Sequence, residues 1–306
     1  MNYYELEPEN NTFGDVSIDV THRCNMMCKN CYIPNRDIPD MNIDRMIEAI
    51  SRFPKRTMIR IVGAEPTMRK DLPELIRRVR ATSHRTILLT NGLRLANDAY
   101  CKTLKATRLS HVYLSLNGID NDNWYEEIDE LRCATKKIQA LQNLVNNKFI
   151  IDTGTIIVKG INDDAIGRLL HLFKQTGLQN GVARIKNVGA IGRSVLDDNP
   201  QNYTMDDLIA LASYQTGLSI DYIESWKNKP IYENTHVEPD NFMFPIDSNN
   251  ANKSLHKGGI WFKLADWGRQ NDSNIPLANN TRRGRLTENF KVAPFFEHVK
   301  LNEGGY

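Results

Sequence analysis

The feature that most constrains the fold is an alternation. Through the first two-thirds of the chain, short β-branched runs take turns with amphipathic helical stretches. The strand-like runs are SIDVT (Ser17 to Thr21), TMIRIVG (Thr57 to Gly63), RTILLTNG (Arg85 to Gly92), HVYLSLNG (His111 to Gly118), DTGTIIVKG (Asp152 to Gly160) and GVARIKNVG (Gly181 to Gly189). Gly, Asn or Pro bounds each of them, as strand ends require. Between them, NIDRMIEAISRF sets Ile43, Met46, Ile47 and Ile50 on one helical face, and LPELIRRVR carries Pro73 in its first turn. ATKKIQALQNLV and DDAIGRLLHLF repeat the apolar period. Six βα units in a row predict a parallel sheet, and right-handed crossovers curl it into a partial (βα)6 TIM-like barrel of the α/β class. In such folds chemistry gathers at the C-terminal ends of the strands.

After about Leu196 the alternation stops, so two regions are expected: a barrel over 1–195 and an α+β substrate-capping region over 196–306. There TMDDLIALASYQ reads as a helix with Thr204 as N-cap. LSIDYIES and GIWFKLADW read as strands, separated by a long polar stretch from Lys227 to Gly259. RRGR (Arg282 to Arg285) reads as a solvated turn. Trp261, Phe262 and Trp267, with Lys263 and Arg269, read as core strand before substrate grip. The first residues show no basic segment followed by an apolar one, and no apolar run is long enough to span a bilayer, so a cytoplasmic protein is expected. A net charge of +2 demands no acidic partner.

Three of the five cysteines stand together in THRCNMMCKNCY, at the end of the first predicted strand. Cys24, Cys28 and Cys31 are spaced C-x3-C-x2-C, and an odd cysteine count without an export signal argues against disulfides. Three thiolates can hold three corners of a [4Fe-4S] cube and leave one iron open for substrate chemistry. The rival is structural zinc, with His22 as fourth ligand, but zinc sites usually pair two cysteines with a second pair further on. The neighbouring strand ends favour the cluster. GAEPT (Gly63 to Thr67) puts an acid and exposed carbonyls, fit to accept from an ammonium, at the tip of the second strand. TNG (Thr90 to Gly92) and SLNG (Ser115 to Gly118) put hydroxyl and amide groups at the tips of the next two. NDNWYEEID follows, with Trp124, Glu126 and Glu127 as an acidic loop near the site.

On these residues, over about Gly14 to Arg193, the chain resembles the radical S-adenosylmethionine superfamily. Cys24, Cys28 and Cys31 match its cysteine loop, and GAEPT matches its GGEP-type turn with Ala64 in place of the second glycine. The resemblance implies a cluster whose open iron chelates S-adenosyl-L-methionine, reductive cleavage to a 5′-deoxyadenosyl radical, and hydrogen abstraction from substrate. It implies that Gly63, Ala64, Glu65 and Pro66 hold the methionine ammonium, that Ser115 and Asn117 serve the ribose or carboxylate, and that Arg132 pairs with the carboxylate, although a surface salt bridge is an equal reading for that residue. Val188 and Gly189 are implied as backbone contacts to adenine. The superfamily often carries an aromatic residue before the last cysteine; here Asn30 stands there and Tyr32 follows.

No cysteine follows Cys133, which argues against the auxiliary-cluster subgroup, and no cobalamin-binding segment precedes the barrel. Cys101 and Cys133 are expected as packed thiols on helices outside the barrel rather than hydrogen-atom donors. The expected substrate is a small molecule, nucleoside or lipid precursor, with flavodoxin or ferredoxin as electron donor. The alternatives are peptide modification without an auxiliary cluster and a zinc-stabilised nucleic-acid-binding module.

Overall fold

The structure, a computed structural model, describes residues 3–33, 35–189, 202–227, 242–247, 259–266, 283–295 and 298. All six expected strands form: β1 (Asp15–Asp19), β2 (Met58–Val62), β3 (Arg85–Thr90), β4 (His111–Ser115), β5 (Ile150–Ile156) and β6 (Gly181–Lys186). Each lies parallel to the next in chain order. Helices α1 (Ile43–Arg52), α2 (Leu72–Ala81), α3 (Asp98–Ala106), α4 (Asp122–Asp129), α5 (Ala134–Asn146) and α6 (Ala165–Thr176) make the returns. Their starts are set by local chemistry. The side chains of Asn42, Asn97 and Asn121 accept from backbone N–H groups that the first turn leaves without partners, and Pro73 sits in the first turn of α2.

The two faces of the sheet differ sharply. Val16, Ile18, Ile59, Ile61, Leu88, Val112 and Leu114 pack against Met46, Ile50, Leu72, Ile76, Leu104 and Leu144 of the helices. Each such side chain taken out of water contributes about 1.5–3 kcal/mol. The alternate positions face the lumen and are largely polar: Ser17 and Asp19 on β1, Arg60 on β2, Tyr113 on β4, Asp152 on β5, Arg184 and Lys186 on β6. Parallel strands more often run apolar on both faces. This lumen is the exception.

Past the sixth unit come α7 (Met205–Thr216), α8 (Ile220–Glu224), β7 (Phe242–Pro245), β8 (Ile260–Ala265), β9 (Arg283–Leu286) and β10 (Val292–Pro294). Thr204 caps α7 through a reciprocal box with Asp207. The late strands join the barrel's own sheet, in the order β10-β9-β1-β2-β3-β4-β5-β6-β8-β7, so the barrel stays open between β7 and β10.

Three sequence expectations change. LSIDYIES is the helix α8, because Ser219 caps it by accepting from Tyr222 N–H and Ile223 enters the core while Ile220 stays exposed. The stretch from Lys227 to Gly259 contains the strand β7, while 228–241 and 248–258 lie outside the described residues. RRGR is not a solvated turn: Arg283 to Arg285 open β9, parallel to β1, and Arg285 is fully buried. Trp261 and Phe262 are core residues of β8, as expected; Trp267 and Arg269 lie outside the described residues. Among the described residues no helix is long and apolar enough to cross a membrane.

Candidate active site

β1 ends at Asp19, and the chain then turns through Thr21 and His22, both buried, into the cysteine loop. Several polar groups fix that turn. Thr21 Oγ1 donates to Asp40 Oδ1 at 2.5 Å, Arg23 pairs with the same carboxylate, and Arg69 Nη1 donates to the Val20 and Met41 carbonyls at 2.8 Å each. Cys31 N–H closes on the Cys28 carbonyl at 3.3 Å, and Lys29 N–H donates to Ile128 O of α4 at 3.1 Å. Cys24, Cys28 and Cys31 are all reduced and partly exposed. Arg36 Nη2 donates to Cys31 Sγ at 3.1 Å. Burial pushes the Cys24 and Cys28 thiols up, with Glu65 adding to the first and Asp129 to the second. A bound metal would reverse that, since it takes the thiolate outright.

The GAEPT turn leans directly on this loop. Gly63 has φ +131°, and a Cβ there would lie 2.4 Å from the Thr21 carbonyl, so only glycine fits. Ala64 N–H donates to Thr21 O at 2.9 Å and Glu65 N–H to Arg23 O at 3.0 Å. The Glu65 carboxylate itself is wholly buried. Its Oε1 accepts from Thr67 N–H (3.0 Å), Thr67 Oγ1 (2.5 Å) and Thr90 Oγ1 (2.7 Å), and its Oε2 from Asn91 N–H (2.7 Å). These bonds clamp the tip of β2 to the tip of β3.

The other anticipated residues divide. Asn117 Nδ2 donates to Asp129 Oδ1 at 2.9 Å while its Oδ1 accepts from Ile156 N–H at 3.1 Å, so its amide ties α4 to β5. The Ser115 carbonyl accepts from Lys137 Nζ at 3.0 Å, and the same ammonium bonds the Asn91 carbonyl at 2.5 Å. Arg132 is exposed and bonds Glu126 (2.7 Å) and Asn123 (2.9 Å), the surface salt bridge. Val188 exchanges both backbone groups with the Asn202 amide, at 3.2 and 2.7 Å, and Gly189 beside it is buried. Of the acidic stretch after SLNG, Trp124 packs under the Arg168 guanidinium at 4.8 Å and Glu127 reaches Lys29 at 3.6 Å.

Sequence reasoning missed Asp129 and Lys137. Asp129, buried beside Cys28, hydrogen-bonds that thiol, and burial raises its carboxyl above the ordinary value. Lys137 is fully buried and lies 5.4 Å from the Tyr125 ring centroid. A buried lysine at a helical core position was the available signal. Cys133 is a packed thiol, as expected, but it stands just before α5 and packs with Met26, Tyr125 and Ala134, a cluster against which Cys24 and Cys28 also lie. Cys101 is buried on α3 with its thiol on the Leu95 carbonyl, as a packed helical thiol should be.

Among the described residues no three His, Cys, Asp or Glu side chains converge as one metal ion requires. A mononuclear zinc site draws its sulfurs to about 2.3 Å from one ion, whereas a cube spreads one thiolate to each of three irons. The buried His22 ring turns Nδ1 toward the Asn35 carbonyl at 3.2 Å, and burial holds its pKa below the ordinary value. Three partly exposed thiols on one loop, at the C-terminal end of β1, suit a cluster better than zinc.

A family model described as the Radical SAM superfamily matches residues 18–173. The chain belongs to the radical SAM superfamily. Radical SAM enzymes work with a [4Fe-4S] cluster and S-adenosylmethionine, and these are its cofactors. Among curated radical SAM relatives, the 7,8-dihydro-6-hydroxymethylpterin dimethyltransferase of Methanocaldococcus jannaschii is 32% identical over 217 residues, 65% of this chain and 41% of that protein. The GTP 3′,8-cyclase of Helicobacter pylori strain J99 is 29% identical over 182 residues, 56% of this chain and 55% of the cyclase. The chain thus spans about half the length of the curated relatives it matches. Streptococcus suis SuiB bound to S-adenosylmethionine superposes with TM-score 0.65 at 15% identity, covering 95% of this chain and 62% of SuiB, a likeness of fold.

Proposed function

We propose that the chain reductively cleaves S-adenosylmethionine and abstracts hydrogen from a small-molecule substrate. The observation that carries this is the hydrogen-bonded join between the cysteine loop and the GAEPT turn, through Ala64 and Glu65 N–H groups to Thr21 and Arg23 carbonyls. When bound, the cluster supplies the electron that splits S-adenosylmethionine into methionine and a 5′-deoxyadenosyl radical. Cys24, Cys28 and Cys31 would hold it, with the Arg36 guanidinium offsetting thiolate charge at Cys31. The Gly63 and Ala64 carbonyls would take the methionine ammonium. Glu65, Thr90 and Asn91 would keep that turn in place, and Pro66 starts the short helical turn that follows it. Ser115 remains for the ribose hydroxyls, and Val188 and Gly189 for the adenine edge once Asn202 yields. Arg132 would reach the methionine carboxylate only by leaving Glu126.

The two relatives act, by name, on a dihydropterin and on GTP, each a fused nitrogen heterocycle, which supports a small heterocyclic or nucleoside-like substrate over a lipid precursor. The region 196–306 would wall that substrate in. A flavodoxin or ferredoxin would deliver the electron. The test is anaerobic: load iron and sulfide, add S-adenosylmethionine and dithionite, and measure 5′-deoxyadenosine. Its formation supports the reading; a fully loaded cluster that gives none with heterocyclic substrates present overturns it.

A further inference from the structure

The lumen below the rim holds more charge than the cofactor site uses. Arg60 enters from β2, Arg184 and Lys186 from β6, and Arg283 from β9. All four lie on strands of the one curled sheet. Arg184 and Arg283 both bear on Arg60, and both bear on Lys186. Facing them, among the described residues of this layer, are two carboxylates: Asp15, 3.5 Å from Arg60, and Asp152, 3.0 Å from Arg184 and 3.3 Å from His111. Tyr113 adds a hydroxyl and a ring 5.8 Å from the Arg184 guanidinium. Gly154 makes room for it, since a Cβ there would lie 1.7 Å from the phenol oxygen.

This layer is built inward rather than left on a surface. Arg60 is 7% exposed, while the Arg184 side chain keeps 26% of its surface open to the lumen. Burial, Arg184 and Arg283 pull Arg60 down to about 9, still charged at neutral pH. Burial and the same two cations pull Lys186 down to about 7. A cleft lined mainly by one sign of charge, with low-dielectric walls, concentrates counter-ions of the other sign. Arg60 lies three residues before Gly63, so such an anion would lie about 10 Å below the rim.

We propose that this cationic layer receives an oxyanion carried by the substrate, a phosphate or a carboxylate, and so aims the rest of the substrate at the cofactor site. Assigning the anion to a substrate rests on the radical reading above; the binding itself does not. Arg60 and Arg184 supply forked donors, Lys186 a point charge, and Tyr113 a single hydroxyl.

The test is calorimetric titration of the full chain, cluster loaded and S-adenosylmethionine omitted, with inorganic pyrophosphate and separately with citrate. Saturable binding weakened at least tenfold in both Arg184→Gln and Lys186→Met is expected, with Lys102→Gln, on the outer surface, unchanged. Preference for pyrophosphate or citrate identifies the oxyanion. Absence of binding by both probes, or affinity within twofold of the parent in both variants, overturns the proposal. If Arg184→Gln fails to fold, the affinity of the Lys186→Met protein, altered at a partly exposed position, decides by itself. The 5′-deoxyadenosine assay is separate, so loss of the radical reading and loss of this one are told apart.

Discussion

Arg285 Nε donates to Asp19 Oδ2 at 2.5 Å, with both side chains fully buried and the two residues 266 positions apart in sequence. The pair joins β9 to the strand that launches the cysteine loop, and the Phe295 ring centroid lies 6.0 Å from the same guanidinium. Removing one partner strands the other's charge in the interior, which costs about 3–5 kcal/mol. Arg285→Met is therefore expected to lower stability by that order in urea unfolding. The double variant Asp19→Leu/Arg285→Met should recover more than half of the loss. Equal losses in single and double variants would show that packing, not charge, holds the strand.

Glu65→Gln keeps the size of the side chain and removes the charge that four donors share. Hydrogen bonds to a charged group contribute about 1.5–3 kcal/mol. Loss of at least about 2 kcal/mol is expected, with iron content retained and S-adenosylmethionine affinity lowered. Unchanged stability would contradict the clamp. Unchanged affinity in a destabilised protein would separate the clamp from the cofactor.

The five thiols should sort by iron content. Cys28→Ala should drop reconstituted iron from about four atoms per chain to below one, since two thiolates hold a cube poorly. Cys133→Ala, next to the same loop but buried at 4% exposure, should keep its iron and lose only packing energy, about 1 kcal/mol. Full iron in the first variant, or loss in the second, would redraw the ligand set.

Lys186 should leave a signature in the pH dependence of stability. Its folded pKa, about 7, lies below the ordinary lysine value because of burial and the facing cations Arg184 and Arg283. Between the two values the unfolded chain binds a proton that the folded chain does not, so stability rises with pH from about 7 toward about 10.4. Unfolding free energies of wild type and Lys186→Met, measured at intervals over that window, should diverge in favour of wild type as pH rises. A constant difference would place the lysine in ordinary solvent.

The alternation of apolar runs was enough to draw the barrel, because the outward positions such as Ile18, Ile61 and Val112 must face helices whatever else happens. The C-x3-C-x2-C loop was legible for a similar reason: three thiols at fixed spacing in one turn need no distant partner to come together. Glu65 was placed correctly in the chain, yet its hydrogen-bond partners Thr90 and Asn91 come from the next strand tip, a contact no local pattern announces.

The lumen was written in the sequence as well, in the alternating Arg60, Tyr113, Arg184 and Lys186, but a polar residue on a strand reads equally as solvent-facing. Only the curling of the sheet turned those positions toward one another. RRGR shows the same limit: as a string it is a basic turn, and beside β1 its last arginine becomes a buried counter-ion of Asp19. Within the six βα units, sequence alone determined which segments are strands and helices and which loop carries the thiols, since local periodicity and spacing decide these; past them LSIDYIES and RRGR misled it. The tertiary structure decided which charges are buried against which, because electrostatic partners are set by distance in space, and Asp19 and Arg285 meet from nearly opposite ends of the sequence.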